Sequence, residues 1–145
     1  KREKGRVYCF MSDGEQEEGS VWEAAMAASH YCVNNLIAIV DRNNLQISGA
    51  TENVIGLAPL GEKYRAFDWR VIEADGHNFA SLINAFKEAR EVKQRPSVII
   101  AKTVLGKGVK SIENNYRWHG KVFNRQELKE ALNDLGTKGT ARSEK

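Results

Sequence analysis

Two short polar segments contain the residue types that bind a divalent cation and a phosphate. Asp13 and Gly14 follow directly after the apolar segment 7–11, and Asn43 follows shortly after the apolar segment 36–40. A carboxylate, a side-chain amide oxygen, a main-chain carbonyl and diphosphate oxygens can complete the octahedral shell that Mg²⁺ requires. A glycine beside the carboxylate lets the backbone approach a phosphate oxygen. We therefore expect Asp13 and Asn43 to converge on one cation.

The apolar pattern predicts the elements that position these residues. The predicted strands are residues 7–11, 36–40, 69–73 and 98–101, and the predicted helices run from 21 to about 32, from a cap at 78 to about 92, and from a cap at 124 to 135. Alternating strands and helices are typical of an α/β fold, a doubly wound parallel sheet with helices on both faces, which binds ligands beyond the carboxyl ends of its strands. We expect one domain, residues 1–135, and a disordered polar tail, residues 136–145.

Local signals predict where helices begin and which side chains are buried. Ser20 and Glu23 have the spacing of a capping box. Cys9 and Cys32 are predicted to be reduced thiols in the core of a cytoplasmic protein. Apolar residues at helical spacing predict the inward faces of the last two helices; they are Phe79, Leu82, Ile83, Phe86, Leu128, Leu132 and Leu135.

Composition excludes two classes of partner. The net charge of +3 comes from 22 basic and 19 acidic residues mixed along the chain, so no basic stripe for nucleic acid is present. No apolar run approaches the roughly 20 residues that span a bilayer, which argues against a membrane role. The chain begins at Lys1 rather than at methionine and soon enters a strand, which indicates a processed or truncated piece.

Other interpretations of the acidic segments stay open at this point. Asp13 with Gly14 is also a common turn sequence after a strand. The Asp41-x-Asn43 spacing could begin a calcium loop, but Leu45 and Gln46 occupy positions that would need an oxygen ligand and a glycine. These two residues disfavour a calcium loop, while a simple turn at Asp13 remains open.

The remaining polar residues have ordinary explanations when taken alone. Gly106, Lys107 and Gly108 lack the full spacing of a phosphate-binding loop and predict a bend. His119, taken by itself, is a packed or surface histidine. The acidic run 15–18 is typical of a solvated loop, and for Glu15 and Glu17 that remains the interpretation.

Several segments share the sequence pattern of one enzyme family. Asp13 and Gly14, followed after 30 residues by Asn43, match the thiamine diphosphate signature Gly-Asp-Gly and Asn, with Ser12 in place of the first glycine. Ser-Asp-Gly-Glu-Gln-Glu-Glu-Gly-Ser-Val-Trp-Glu-Ala, Asp-Arg-Asn-Asn-Leu-Gln-Ile-Ser-Gly, Lys-Thr-Val-Leu-Gly-Lys-Gly and Asn-Asn-Tyr-Arg-Trp-His-Gly resemble transketolases. The resemblance extends over residues 4–135 and is greatest to transketolases divided into amino-terminal and carboxy-terminal subunits.

The resemblance implies a metal and diphosphate site. Asp13, the Asn43 side chain and the Leu45 main-chain oxygen would bind Mg²⁺. Gly14 and Asn43 would also contact the diphosphate of thiamine diphosphate.

The resemblance implies further cofactor contacts and two catalytic residues. Glu18 would belong to an acidic network that links cofactor sites across a dimer. Ile47 and Leu105 would contact the thiazolium ring. His119 would lie between the diphosphate and the reacting sugar, so Glu18 and His119 are the implied catalytic residues.

The implied activity is transfer of a two-carbon ketol group from a ketose phosphate to an aldose phosphate. The implied partner is a carboxy-terminal, pyrimidine-binding subunit, in a homodimer or hetero-oligomer, because the family's cofactor-activating glutamate belongs to another domain. One alternative is another thiamine diphosphate enzyme, such as a deoxyxylulose phosphate synthase or a dihydroxyacetone synthase. The other is a noncatalytic assembly module, which Ser12 and the truncated start of the chain would favour.

Overall fold

Strands and helices alternate through most of the chain. The computed structural model describes residues 5–136. In chain order the elements are β1 (Val7–Ser12), a 3₁₀ turn (Gly14–Glu17), α1 (Gly19–His30), β2 (Leu36–Arg42), β3 (Leu45–Gln46), β4 (Gly49–Ala50), α2 (Thr51–Val54), α3 (Leu60–Ala66), β5 (Arg70–Asp75), α4 (Phe79–Glu91), β6 (Ser97–Lys102), a second 3₁₀ turn (Tyr116–Trp118) and α5 (Arg125–Asp134).

The main sheet has four parallel strands in the order β1-β2-β6-β5. The two central strands, β2 and β6, are nearly continuous apolar runs because both of their faces are buried. Strands β3 and β4 form a separate two-stranded antiparallel pair. All four carboxyl ends of the parallel strands therefore lie along one edge, as predicted.

Helices cover both faces of this sheet, which confirms the predicted doubly wound α/β fold. On one face, α1 and α3 pack through Ala25, Ala28, Leu60 and Tyr64. On the other face, α4 packs through Ala85 and Ala89, with Leu82 and Phe86 beside them. Within residues 5–136 no helix has both the length and the apolar content needed to cross a membrane.

Two of the predicted helix starts are confirmed and one is wrong. The Asn78 side chain caps α4, and Asn124 forms a capping box with Glu127 at the start of α5. The predicted capping box at Ser20 does not form, because α1 already begins at Gly19 and Ser20 lies inside its first turn. Glu18, which has an extended backbone, separates the preceding 3₁₀ turn from α1 and takes the N-cap position.

The predicted inward faces of the last two helices need correction. Phe79 and Ile83 of α4 are exposed, while the alanines further along the helix contact the sheet. In α5, Leu128 and Leu135 are exposed and Ala131 is the buried residue. The predicted inward positions of Leu82 and Phe86 are confirmed, since both pack against the core beside the alanines of α4, and Leu132 of α5 is half-buried.

The predicted core position of both cysteines is also wrong. Cys9 and Cys32 are free but exposed. Cys9 lies on β1, an edge strand with a neighbour on one side only. Cys32 lies in the turn after α1 with a positive φ of 50°. Between residues 41 and 68, where no helix or strand was predicted, the chain contains β3, β4, α2 and α3. The predicted tail lies outside the described residues except for Gly136.

We expect Ile99→Ala to lower the free energy of unfolding by about 2–5 kcal/mol, because Ile99 is 0% exposed in a central strand and its loss leaves a cavity. Urea unfolding of the chain measures this effect. Ile83→Ala is the matched control, since Ile83 is 53% exposed and its removal creates no cavity. Equal effects of the two substitutions would contradict the described core.

Candidate functional site

Asp13 is a buried carboxylate at the edge where β1 and β2 end. The two strands are parallel neighbours with Ser12 beside Asp41, so the residues that follow them leave the sheet together. Asp13 is 0% exposed. Its Oδ1 accepts a hydrogen bond from Arg42 at 3.0 Å, and its Oδ2 accepts one from the backbone N–H of Asn44. The ends of the two strands thus bring Asp13 next to Asn44, the residue after Asn43. The convergence of Asp13 and Asn43 on one cation stays a prediction.

Arg42 is the counter-ion of Asp13 and the centre of an ion-pair network. Its guanidinium also donates to Thr51 Oγ1 at 3.0 Å and to Glu52 Oε1 at 2.5 Å. Burial raises the pKa of Asp13, while the hydrogen bond and charge of Arg42 act in the opposite direction. The hydrogen bond from Arg42 lowers the pKa of Glu52. Sequence reasoning assigned no role to Arg42, although a basic residue at the end of a buried strand was a usable signal.

The oxygen atoms around Asp13 suit a hard cation. Asn43 is 6% exposed, and its Oδ1 accepts from the backbone N–H of Leu45 at 3.0 Å. Carboxylate and amide oxygens each have two lone pairs, so Asp13 and Asn43 retain acceptor capacity beyond these bonds. Within residues 5–136 no group of three or more His, Cys, Asp and Glu side chains could hold a metal ion. This donor set would need oxygens from a ligand, such as a diphosphate, to complete a Mg²⁺ shell.

The 3₁₀ turn after Asp13 is held by the core beneath it. Gln16 is 1% exposed, and its Oε1 accepts a hydrogen bond from the Tyr64 hydroxyl at 2.7 Å. The indole N–H of Trp22 donates to the Gln16 carbonyl at 2.9 Å. Sequence reasoning missed this anchor, because a glutamine inside an acidic run gives no sign of burial.

Ser12, which replaces the first glycine of the signature, is the last residue of β1 and has strand backbone. The Glu15 carboxylate accepts hydrogen bonds from the Ser12 N–H at 2.6 Å and from its hydroxyl at 3.0 Å. Glu15 is therefore more than a solvated loop residue, because it closes the turn that follows Asp13. A serine fits at this position without unusual backbone angles.

A cleft of about 320 Å³ lies beside this turn. It brings together four residues for which the resemblance implied cofactor contacts: Gly14, Glu18, Ile47 and His119. The other lining residues are Ser12, Glu15, Glu17, Gln46 and Ser48. Leu105 is not among them; it lies in the loop after β6, where its carbonyl accepts from the Asn114 N–H at 3.0 Å. The cleft thus gathers residues from the Asp13 turn, from the segment after β2 and from the second 3₁₀ turn.

Two residues that line the cleft each have a side-chain oxygen without a hydrogen-bond partner within the described part of the chain. These oxygens are Oε1 of Glu17 and Oε1 of Gln46, and both are buried. A Cβ built on Gly14 would lie 3.6 Å from the same Gln46 oxygen, which is ordinary contact. The protein atoms alone would therefore admit a side chain at position 14. A requirement for glycine there would come from a ligand that approaches its backbone.

One family model matches nearly the whole chain. The model is described as transketolase, thiamine diphosphate binding domain, and it matches residues 3–143. This agrees with the fold class and with the resemblance found in the motifs.

Several known proteins are similar over most of the chain. An apulose-4-phosphate transketolase subunit of Phocaeicola vulgatus is 40% identical over 130 residues, which are 90% of this chain and 46% of that protein. The 6-deoxy-6-sulfo-D-fructose transketolase subunit SqwG of a Clostridium species is 37% identical over 92% of this chain and 48% of its own length. Transketolase-like protein 2 of Mus musculus is 45% identical over 80% of this chain and 18% of its own length. The chain thus spans about half the length of the two bacterial subunits.

Solved transketolases share the fold. The enzyme from Campylobacter jejuni superposes with a TM-score of 0.85 at 28% identity, over 92% of this chain and 21% of that chain. A complex of the Pichia stipitis enzyme with sedoheptulose-7-phosphate superposes with a TM-score of 0.83 at 27% identity, over 90% and 19% of the two chains.

We expect Arg42→Met to lower the free energy of unfolding by about 3–5 kcal/mol, because it leaves the buried Asp13 carboxylate without its counter-ion. Urea unfolding at neutral pH in metal-free buffer measures the loss. The double variant Asp13→Asn with Arg42→Met should recover part of it, since the uncompensated charge is removed. A single variant with the stability of the parent chain would show that Arg42 does not compensate Asp13.

Proposed function

Since the chain belongs to the transketolase thiamine diphosphate-binding domain family, we propose that it binds thiamine diphosphate with Mg²⁺ and is part of a ketol-transferring enzyme. The observation that carries this proposal is the buried Asp13 at the edge of the sheet, beside the Asn43 turn and the cleft. A carboxylate in that position can bind a cation, and the cation would neutralise the charge of a diphosphate.

Asp13, the Asn43 side chain and the main-chain oxygen of Leu45 would hold the Mg²⁺. All three lie at the carboxyl end of the sheet, where doubly wound folds bind their ligands. Gly14 and Asn43 would contact the diphosphate, for which Gly14 offers a backbone without a side chain. The fit of the available oxygens to a hard cation supports this assignment.

The rest of the cleft would surround the reacting part of the cofactor. Thiamine diphosphate supplies a carbon nucleophile and an electron sink for cleavage of a carbon–carbon bond. Ile47 is 76% exposed and offers an apolar surface to the thiazolium ring. Leu105, which lies outside the cleft lining, would be the second apolar contact that the resemblance implies. His119 would donate a hydrogen bond to the sugar phosphate. Its position in the same cleft as Gly14 supports that role.

A second polypeptide region would complete the site. The similar proteins include subunits of transketolases, and this chain spans about half of their length. A pyrimidine-binding carboxy-terminal subunit would supply the cofactor-activating group, in a homodimer or hetero-oligomer. Exposed Glu18 would contribute to the acidic network between cofactor sites. The free thiols of Cys9 and Cys32 are compatible with a cytoplasmic assembly.

We expect thiamine diphosphate and Mg²⁺ together, but neither alone, to raise the thermal unfolding midpoint of the chain assembled with its partner. A ligand at one hundred times its Kd stabilises by about 2.7 kcal/mol. Asp13→Asn should abolish the Mg²⁺-dependent part. Asp68→Asn, at an exposed position paired with Arg95, is the control and should respond like the parent. Absence of any response in the parent chain would overturn the proposed function.

We expect His119→Asn to reduce kcat with a ketose phosphate donor and ribose 5-phosphate by about 10²-fold or more, with little change in cofactor affinity. His30→Asn, on an exposed helix end, is the control. Steady-state assays with ribose 5-phosphate, pyruvate and formaldehyde as alternative substrates identify the reaction. Preference for pyruvate or formaldehyde would replace the transketolase assignment by one of the other thiamine diphosphate enzymes.

A further inference from the structure

Glu17 and Gln46 both line the cleft, and each has a buried acceptor oxygen, Oε1. Neither Oε1 atom has a hydrogen-bond donor among residues 5–136. Both oxygens have given up water on folding without gaining a protein partner, and such a group weakens the folded state measurably. By contrast, the neighbouring Glu15 and Gln16 side chains are satisfied by Ser12 and Tyr64. Glu17 in the 3₁₀ turn and Gln46 in β3 thus differ from these neighbours, because each keeps one oxygen without a donor.

A diphosphate cannot satisfy these two oxygens, because it presents only acceptors at neutral pH. They require an N–H or O–H donor. The terminal torsions of glutamate and glutamine are broad, so a small rotation can turn either oxygen toward the cleft. Glu17 and Gln46 line the same cleft as His119 and Gly14, so a ligand that fills it lies against both side chains.

We propose that Glu17 and Gln46 bind a hydrogen-bond donor of the small molecule that fills this cleft, and so position it beside His119. The inference rests on the proposed function. The donor chemistry could come from the amino group of the cofactor's pyrimidine or from a hydroxyl of the sugar phosphate. Neither residue is among those for which the family resemblance implied a role. Glu17 in particular was predicted to be a solvated loop residue, and its buried oxygen corrects that interpretation.

The test uses Glu17→Met and Gln46→Met, which keep the length of the side chain and remove the acceptor. The chain is assembled with its pyrimidine-binding partner. Calorimetry gives the Kd of thiamine diphosphate with Mg²⁺, and steady-state kinetics give KM and kcat for the sugar phosphates. Glu91→Met and Gln94→Met are matched controls at exposed positions. Glu17→Gln keeps a carbonyl acceptor and removes the charge.

We expect Glu17→Met and Gln46→Met each to weaken one binding constant by about tenfold. This is the effect of losing about 1.4 kcal/mol of hydrogen bonding. A change in the Kd of the cofactor identifies the amino group as the donor, and a change in KM at constant cofactor Kd identifies the sugar. Glu17→Gln should retain most of the affinity for such an uncharged donor. The unliganded thermal midpoint should not fall, because an unsatisfied acceptor has been removed.

Unchanged Kd and KM in both variants, with a parent chain that binds cofactor, would overturn the inference and identify both oxygens as sites of ordered water. A fall in the unliganded midpoint without a change in either constant would overturn it too, by showing a purely structural role. Failure of the parent chain to bind cofactor would instead count against the proposed function, so the two failures are distinguishable.

Discussion

The placement of one buried carboxylate at the junction of two strand ends governs the organisation of this chain. A charge at 0% exposure is tolerated only if nearby groups replace its water, and Arg42 and the Asn44 N–H do so for Asp13. Arg42 also donates hydrogen bonds to Thr51 and Glu52. The hydrogen-bond network that neutralises Asp13 therefore holds the chain in place for about ten residues beyond β2. The positive φ of 65° at Asn44 belongs to this same turn.

The turn on the other side of Asp13 derives its rigidity from the core. Gln16 connects the turn to Tyr64 of α3, and Trp22 of α1 binds the Gln16 carbonyl. Tyr64 contacts both Trp22 and Trp69, so the aromatic packing of one sheet face reaches directly to the cleft. A ligand site built on such a turn loses little conformational entropy on binding, because its backbone is already fixed.

Local sequence signals predicted the sheet better than they predicted the site. The apolar runs 7–11 and 36–40 predicted strands β1 and β2, and Asn124 with Glu127 predicted a helix start, because these signals are local. The Arg42 network and the Gln16 anchor depend on contacts between residues 29 and 48 positions apart, which no local pattern reveals. The alanines of α4 that pack against the sheet were missed for a similar reason. Apolar periodicity favours large residues, whereas close helix–sheet packing selects small ones.

The hydrogen-bonding groups of the site decide which chemical groups of a ligand can bind in each part of it. Near Asp13 and Asn43, protein oxygens accept, so an anionic ligand can approach only with a cation between them. Glu17 and Gln46 line the cleft and each has a buried acceptor oxygen without a donor, so a donor-bearing group is favoured beside them. An extended ligand with a diphosphate at one end and donors at the other satisfies both requirements at once. A simple phosphate satisfies only the first, and a simple sugar satisfies only the second.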